Sequence, residues 1–279
     1  MFSVAQIIFA PLNSIIKNAL GSKTVIVVGF SLLTVTTLGL GATAYITNPH
    51  VFKYAAVALR FFQGQGDIMV QVTCYNILCT VYSDNVMEII RYIEMCVGVG
   101  LGAGPFLGSA VYGSIGYANT MYLFAALNAG TLVLCLWALP AALNRREKPA
   151  ALTASQKASA REIRWKEILT NKHSNFALLT CFLGTFVIVF YAGFLGDQLI
   201  ALHFNENLVG FVFGSQCVVY LAACLAYPYV FEHWPRKIQF VFAFIGYAAC
   251  DILMGPSKLL DLPDNYWIII AGTCLTGFF

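Results

Sequence analysis

The chain has 279 residues, of which 59% are hydrophobic and only 10% are charged, with 16 Lys and Arg against 13 Asp and Glu. A soluble domain needs about 25% charged residues to cover its surface, and a mean hydropathy of +0.75 leaves too few polar side chains for that. Cytosolic enzymes, nucleic-acid binders and secreted modules are excluded, and the surface is expected to face a lipid bilayer.

Apolar runs occupy residues 2–16, 24–46, 54–82, 86–113, 118–143, 175–202, 207–231, 238–256 and 266–279. A helix needs about 20 apolar residues to satisfy its own backbone across hydrocarbon, with a range of about 17–25. The runs therefore predict an all-α, polytopic membrane protein with nine spans. They are continuous and lack the alternation of lipid-facing strands, which excludes a β-barrel. The first run has no basic n-region and no small-residue cleavage site, so it is read as a span and not as a signal peptide.

Between the spans, Lys and Arg sort unequally. Thirteen lie at one set of ends and only Lys53 and Lys258 at the other, with Arg60 inside a span. This asymmetry orients the basic side toward the cytoplasm. The first short basic turn holds Lys17, Gly21 and Lys23, and a matching turn later in the chain holds Arg236 and Lys237. Both are expected to be cytoplasmic gate loops. The connection 144–174 is the one long loop. It divides an N-terminal half-bundle, 1–143, from a C-terminal one, 175–279, and its stretch 161–169 reads as an amphipathic helix at the cytoplasmic interface.

Ionisable residues inside spans mark function, because each costs several kcal/mol unless it faces a partner or water. The third run carries Arg60, Gln63, Asp67 and Gln71 at a helical spacing that draws one polar stripe, expected to line an interior path. Glu94 in the fourth run and Asp197 in the sixth are further candidates for a substrate or proton pathway. The fourth run also places Gly100, Gly104 and Gly108 four residues apart, and Gly98 and Gly102 likewise, so two stripes allow close helix contact. Pro105 invites a bend among them. The nine cysteines all fall in apolar runs without a Cys-x-x-Cys spacing, so neither a metal nor a disulfide framework is expected. No set of residues for enzyme chemistry is visible, and no cofactor is expected.

Arg60-Phe-Phe-Gln-Gly64-Gln-Gly66 resembles the fourth-helix motif of the major facilitator superfamily. Gly100-Leu-Gly-Ala-Gly104-Pro105-Phe-Leu-Gly108 resembles its fifth-helix antiporter motif. Glu94 through Leu101, with Phe194-Leu195 and the stretch from Met254 to Gly272, is similar to the vesicular amine and polyamine transporter branch. The resemblance implies a twelve-helix plan of which this chain supplies helices two to ten, about nine of twelve. The chain is on that basis expected to be an incomplete piece. It further implies a monomeric, proton-coupled antiporter of a small organic cation, in a vesicle, vacuole or plasma membrane. Arg60 would tune proton release, Asp67 and Glu94 would exchange a proton for the cation, and Gly104 and Pro105 would let their helix bend and seal. Two departures stand out: Asn18 occupies the place of the loop acid that precedes Gly-Arg-Lys in the family, and Asp197 lies one residue beyond the expected acid. A uniporter or symporter of another small solute, or a non-transporting fragment, remain the alternatives.

Overall fold

The computed structural model describes residues 1–144, 170–201, 206–231, 233–255 and 266–278. Every regular element among them is helical: α1 (Phe2–Leu20), α2 (Ser22–Ala42), α3 (Pro49–Val81), α4 (Val86–Ala138), α5 (Lys172–Ala201), α6 (Glu206–Phe231), α7 (Arg236–Met254) and α8 (Tyr266–Thr276). The interfacial helix expected over 161–169 lies outside the described residues.

At 53 residues, α4 is too long to be one span, since a rise of about 1.5 Å per residue would carry it about 80 Å. Its helical dihedrals break at Gly116 (φ 77°, ψ 174°), a region essentially reserved for glycine. The break separates two spans at the junction expected between residues 113 and 118. It falls at Gly116, whereas the dihedrals at Pro105 stay helical. With α4 counted twice, the described residues contain nine helical segments, one for each apolar run.

Four stretches among them are long and apolar enough to cross a membrane by that measure alone: Ser22–Tyr45, Ser83–Ala138, Val209–Tyr227 and Lys237–Met254. The helix α3 is long enough but carries Lys53, Arg60 and Asp67. Large apolar side chains cover the exterior, with Tyr229 88% and Trp137 86% exposed. A surface of this kind belongs in lipid, since water-soluble monomers bury such groups.

The helices group into two compact units, one of Met1–Cys96 with Ala110–Glu147, the other of Val97–Ser109 with Lys148–Phe279. In the first unit α1 and α3 run parallel: Phe2 abuts Gly64, Gln6 pairs with Asp67, Asn13 with Thr73 and Lys17 with Asn76, in rising order on both helices. Antiparallel to α3 lies α2, where Gly29 meets Gly66 and Gly39 meets Leu59. The second segment of α4 in turn runs antiparallel to α2, with Gly41 against Tyr122.

Helix ends in this unit are closed by identifiable groups. Asn48 caps α3 through the amides of His50 (3.0 Å) and Val51 (3.5 Å), with Pro49 in the first turn. The N-cap of α2 is Gly21, which has no side chain to offer, and Asn144 supplies the missing acceptor by taking the Thr24 amide at 3.0 Å. Lys23 returns the favour at the end of α4, donating to the carbonyls of Leu136 (2.9 Å) and Leu139 (2.6 Å). A cation on free C-terminal carbonyls also complements the helix dipole. Replacing Asn144 with alanine is expected to lower stability by about 1 kcal/mol, the usual worth of an N-cap, read as an earlier thermal transition in detergent.

In the second unit Leu195, Leu199, Val212 and Ile269 form a buried cluster drawn from α5, α6 and α8. Gly272 lets α8 approach α7, where an added Cβ would lie 3.0 Å from Met254 and 3.2 Å from the Cys250 carbonyl. Residues 97–109 pack antiparallel on α6: Gly98 faces Tyr220, Gly102 faces Cys217, Phe106 faces Gly214 and Ser109 faces Gly210. Phe106 and Phe211 meet edge to face at 6.2 Å between ring centroids.

Candidate functional site

The polar stripe of α3 divides between two neighbours. Arg60 donates to the side-chain oxygen of Gln63 at 3.0 Å, and Gln63 donates to the Thr37 hydroxyl of α2 at 3.2 Å. Asp67, one turn further on, turns instead to α1 and accepts from the Gln6 amide at 2.8 Å. Gln63 and Asp67 are half-buried, whereas Arg60 and Gln71 are exposed. Arg60 and Asp67 share a face but are separated by about 10 Å of helix rise, so the carboxylate is not neutralised by the guanidinium. No Lys or Arg bridges Asp67 among the described residues. Its bonded partner is a neutral amide.

Glu94 is brought to the same helix from α4, where it accepts from the Tyr75 hydroxyl at 2.7 Å. Arg60, Gln63, Asp67 and Glu94 are thus arranged along α3 within the first unit. Asp197 belongs to the second unit and lies on an exposed face of α5, two residues beyond buried Leu195 and two before buried Leu199. Among the described residues no three His, Cys, Asp or Glu side chains converge as metal ligands would.

The glycines of the Arg60 motif have a packing reason. Gly64 admits the backbone of Phe2 from α1, and Gly66 admits α2, its added Cβ falling 2.9 Å from the Gly29 carbonyl. One motif therefore seats two helices beside Arg60. The two stripes in α4 differ in what they meet among the described residues. Gly98 and Gly102 meet α6, while Gly100, Gly104 and Gly108 have no described atom within 4 Å of an added Cβ. One stripe makes a close helix contact, and the other meets no described atom. Pro105 is exposed and brings its carbonyl against Gly210.

This difference has a direct consequence. Gly102→Ala would set a methyl on the Cys217 side chain, 3.1 Å from its Cα, and is expected to destabilise by about 1–3 kcal/mol through overpacking. Gly104→Ala meets no described atom within 4 Å and gains helix propensity, about 0.5–1 kcal/mol in a soluble helix. Thermal unfolding in detergent should therefore move in opposite directions for the two variants.

The basic turns are placed as follows. Lys17 donates to Asn76 of α3, Lys23 is held on the end of α4, and Gly21 adopts φ 86° close against Asn144. Lys237 is exposed at the start of α7, and the Arg236 side chain lies outside the described residues. Gln6, Thr37 and Tyr75, which complete the hydrogen bonds of the stripe, were not singled out from the sequence. Each is a polar residue among others in an apolar run, and only pairing across helices distinguishes it from an ordinary packed side chain.

An apolar exterior around helices, with a half-buried carboxylate on a motif-bearing helix, defines an integral membrane protein. The Major Facilitator Superfamily profile matches residues 1–279, and the chain belongs to that family. Among curated relatives it is 23% identical over 268 residues to the MFS-type transporter SLC18B1 of Mus musculus, covering 92% of this chain and 54% of the relative. Against SLC18B1 of Homo sapiens it is 22% identical over 271 residues, with the same coverage. The chain spans about half the length of these relatives.

Proposed function

We propose that the protein is a secondary transporter that exchanges protons for a small organic cation by alternating access, with Asp67 and Glu94 as the carriers of exchangeable charge. The observation that carries this reading is the pairing of Asp67 with Gln6. In this reading the carboxylate lies inside a membrane span; it is bonded to a neutral amide, and no Lys or Arg bridges it among the described residues. An ionised carboxylate at that depth costs about 2.5–3.5 kcal/mol or more, so the occluded protein favours an occupied site. A proton or an alkylammonium group can each neutralise it, and both cannot do so at once. Exchange follows from that competition. Glu94, hydrogen-bonded to Tyr75, offers a second carboxylate for a substrate with two amino groups.

The SLC18B1 relatives are named as MFS-type transporters, which supports the transport assignment. The amine class rests on the resemblance and on the acidic lining. In this reading 1–143 and 175–279 are the halves that rock, 144–174 is their cytoplasmic linker, and Arg60 at the end of the stripe biases proton release. Asp197 supplies an acid from the other half, Gly100, Gly104, Pro105 and Gly108 keep one face of α4 narrow, and the turns at Lys17–Lys23 and Arg236–Lys237 lie at the cytoplasmic gate. The protein acts as a monomer in a vesicular, vacuolar or plasma membrane.

The test is uptake of labelled spermidine, putrescine and tyramine into proteoliposomes with an acidic lumen, made with the full-length protein. Uptake of at least one amine that collapses on adding a protonophore supports the assignment. Uptake that survives the protonophore, or no uptake of any of the three, rejects it.

A further inference from the structure

The parallel contact of α1 and α3 carries polar pairs at three levels: Gln6 with Asp67, Asn13 with Thr73 and Lys17 with Asn76. The middle level is the anomaly. Asn13 is 1% exposed and Thr73 is 0% exposed. The Asn13 amide reaches the Thr73 hydroxyl at 3.4 Å, at the long limit for a hydrogen bond. The Asn13 side-chain oxygen is fully buried and has no hydrogen-bond partner among the described residues.

A buried acceptor without a donor costs about 1–3 kcal/mol, and apolar residues would pack this contact without that penalty. Groups of this kind in protein interiors are where bound water sits, typically with about three hydrogen bonds. Asp67 stands two turns above on the same seam, about 9 Å away by helix rise, and Asn76 lies about 5 Å below Thr73. Lys17 and Asn76 open at the end of the unit that carries the basic turn.

We propose that the α1–α3 seam is a hydrated proton lane within the first unit, in which Asn13 and Thr73 hold the water that links Asp67 to the Lys17–Asn76 end. A proton leaving the Asp67 carboxyl passes to the first water, and an equivalent proton emerges at the exposed end, with no bond to carbon made or broken. Among the described residues, Asp67 and Lys17 are the charged groups bonded across this seam. Lys17 at its mouth disfavours a resting proton there and so favours release over retention. The lane separates the proton route from the face that meets the organic cation. The inference rests on the exchange reading, because a carrier that moves no protons has no use for it.

The test uses full-length protein in proteoliposomes, with the fastest amine of the panel above, comparing Asn13→Leu, Thr73→Val and the double variant. The double variant removes both polar groups together and leaves no orphan, so it guards against a merely misfolded single variant. Two fluxes are read: uptake driven by an acidic lumen, and counterflow of labelled for unlabelled amine at equal pH, which needs no net proton movement. The lane predicts that gradient-driven uptake falls about tenfold while counterflow stays within about twofold of the parent protein. Equal loss of both fluxes would show that the seam is packing alone, and loss of neither would show that protons travel elsewhere. Either result overturns the lane while leaving exchange intact, provided the parent protein's uptake is protonophore-sensitive. A parent that is insensitive, or takes up none of the amines, overturns both.

Discussion

Asp67→Asn is expected to reduce gradient-driven amine uptake by about tenfold or more, a loss of about 1.4 kcal/mol or more in driving interaction. Asparagine retains an oxygen that can accept from Gln6, so the contact that places residue 67 on α1 survives. What disappears is the negative charge, and with it the competition between a proton and an ammonium group. Counterflow should fall as well, since the cation loses its counter-ion, and this separates Asp67 from Asn13, whose loss should spare counterflow. Asp67→Glu keeps the charge at the cost of one methylene and should recover a measurable part of both fluxes. Uptake by Asp67→Asn within about twofold of the parent would remove Asp67 from the mechanism.

The second large effect is structural. Gly66→Val is expected to destabilise the first unit by about 3 kcal/mol, the upper end of ordinary overpacking. Even a single Cβ there would lie 2.9 Å from the Gly29 carbonyl, 3.2 Å from Leu33 and 3.3 Å from Leu32. Two of these neighbours are side chains that can shift; the carbonyl belongs to a helical backbone and cannot move without parting α2 from α3. The branched side chain adds two further methyl groups. Thermal unfolding in detergent checks this, with Gly130→Ala as the control, because an added Cβ at Gly130 meets no described atom within 4 Å. The expected order is a clear loss for Gly66→Val and none for Gly130→Ala.

The spans were legible because a membrane imposes a length on every apolar run, and that length repeats along this chain whatever the packing. The junction at Gly116 was legible for a similar reason: the apolar pattern lapses between 113 and 118, and a glycine stands where the backbone needs φ 77°. The α3 stripe, four polar residues at helical spacing of which Gln63 and Asp67 are half-buried against neighbours while Arg60 and Gln71 are exposed, was legible in part. Its division between α1 and α2 was not, since spacing says which face a residue takes and not which neighbour waits there.

The same limit hid the difference between the two α4 stripes. Gly98 and Gly102 have the same four-residue separation as Gly100 and Gly104, and the position of α6 makes the first pair a contact, whereas the second meets no described atom. Asn13 was hidden more deeply: it shares its apolar run with a second amide, Gln6, and the run does not say what either one meets. Its meaning depends on Thr73, 60 positions away. Asn144 is a comparable case: it caps a helix 120 positions earlier in the chain, and no local rule links a residue past the end of α4 to the start of α2.

The most direct test of exchange at a buried carboxylate is the pH of the proteoliposome lumen, followed with a trapped dye as amine is added outside to vesicles loaded at acidic pH. The account predicts that the lumen becomes more alkaline as labelled amine enters, beyond the change in protein-free vesicles, and that Asp67→Asn removes this excess. Amine entry with no such excess, or with a lumen that grows more acidic, would contradict it.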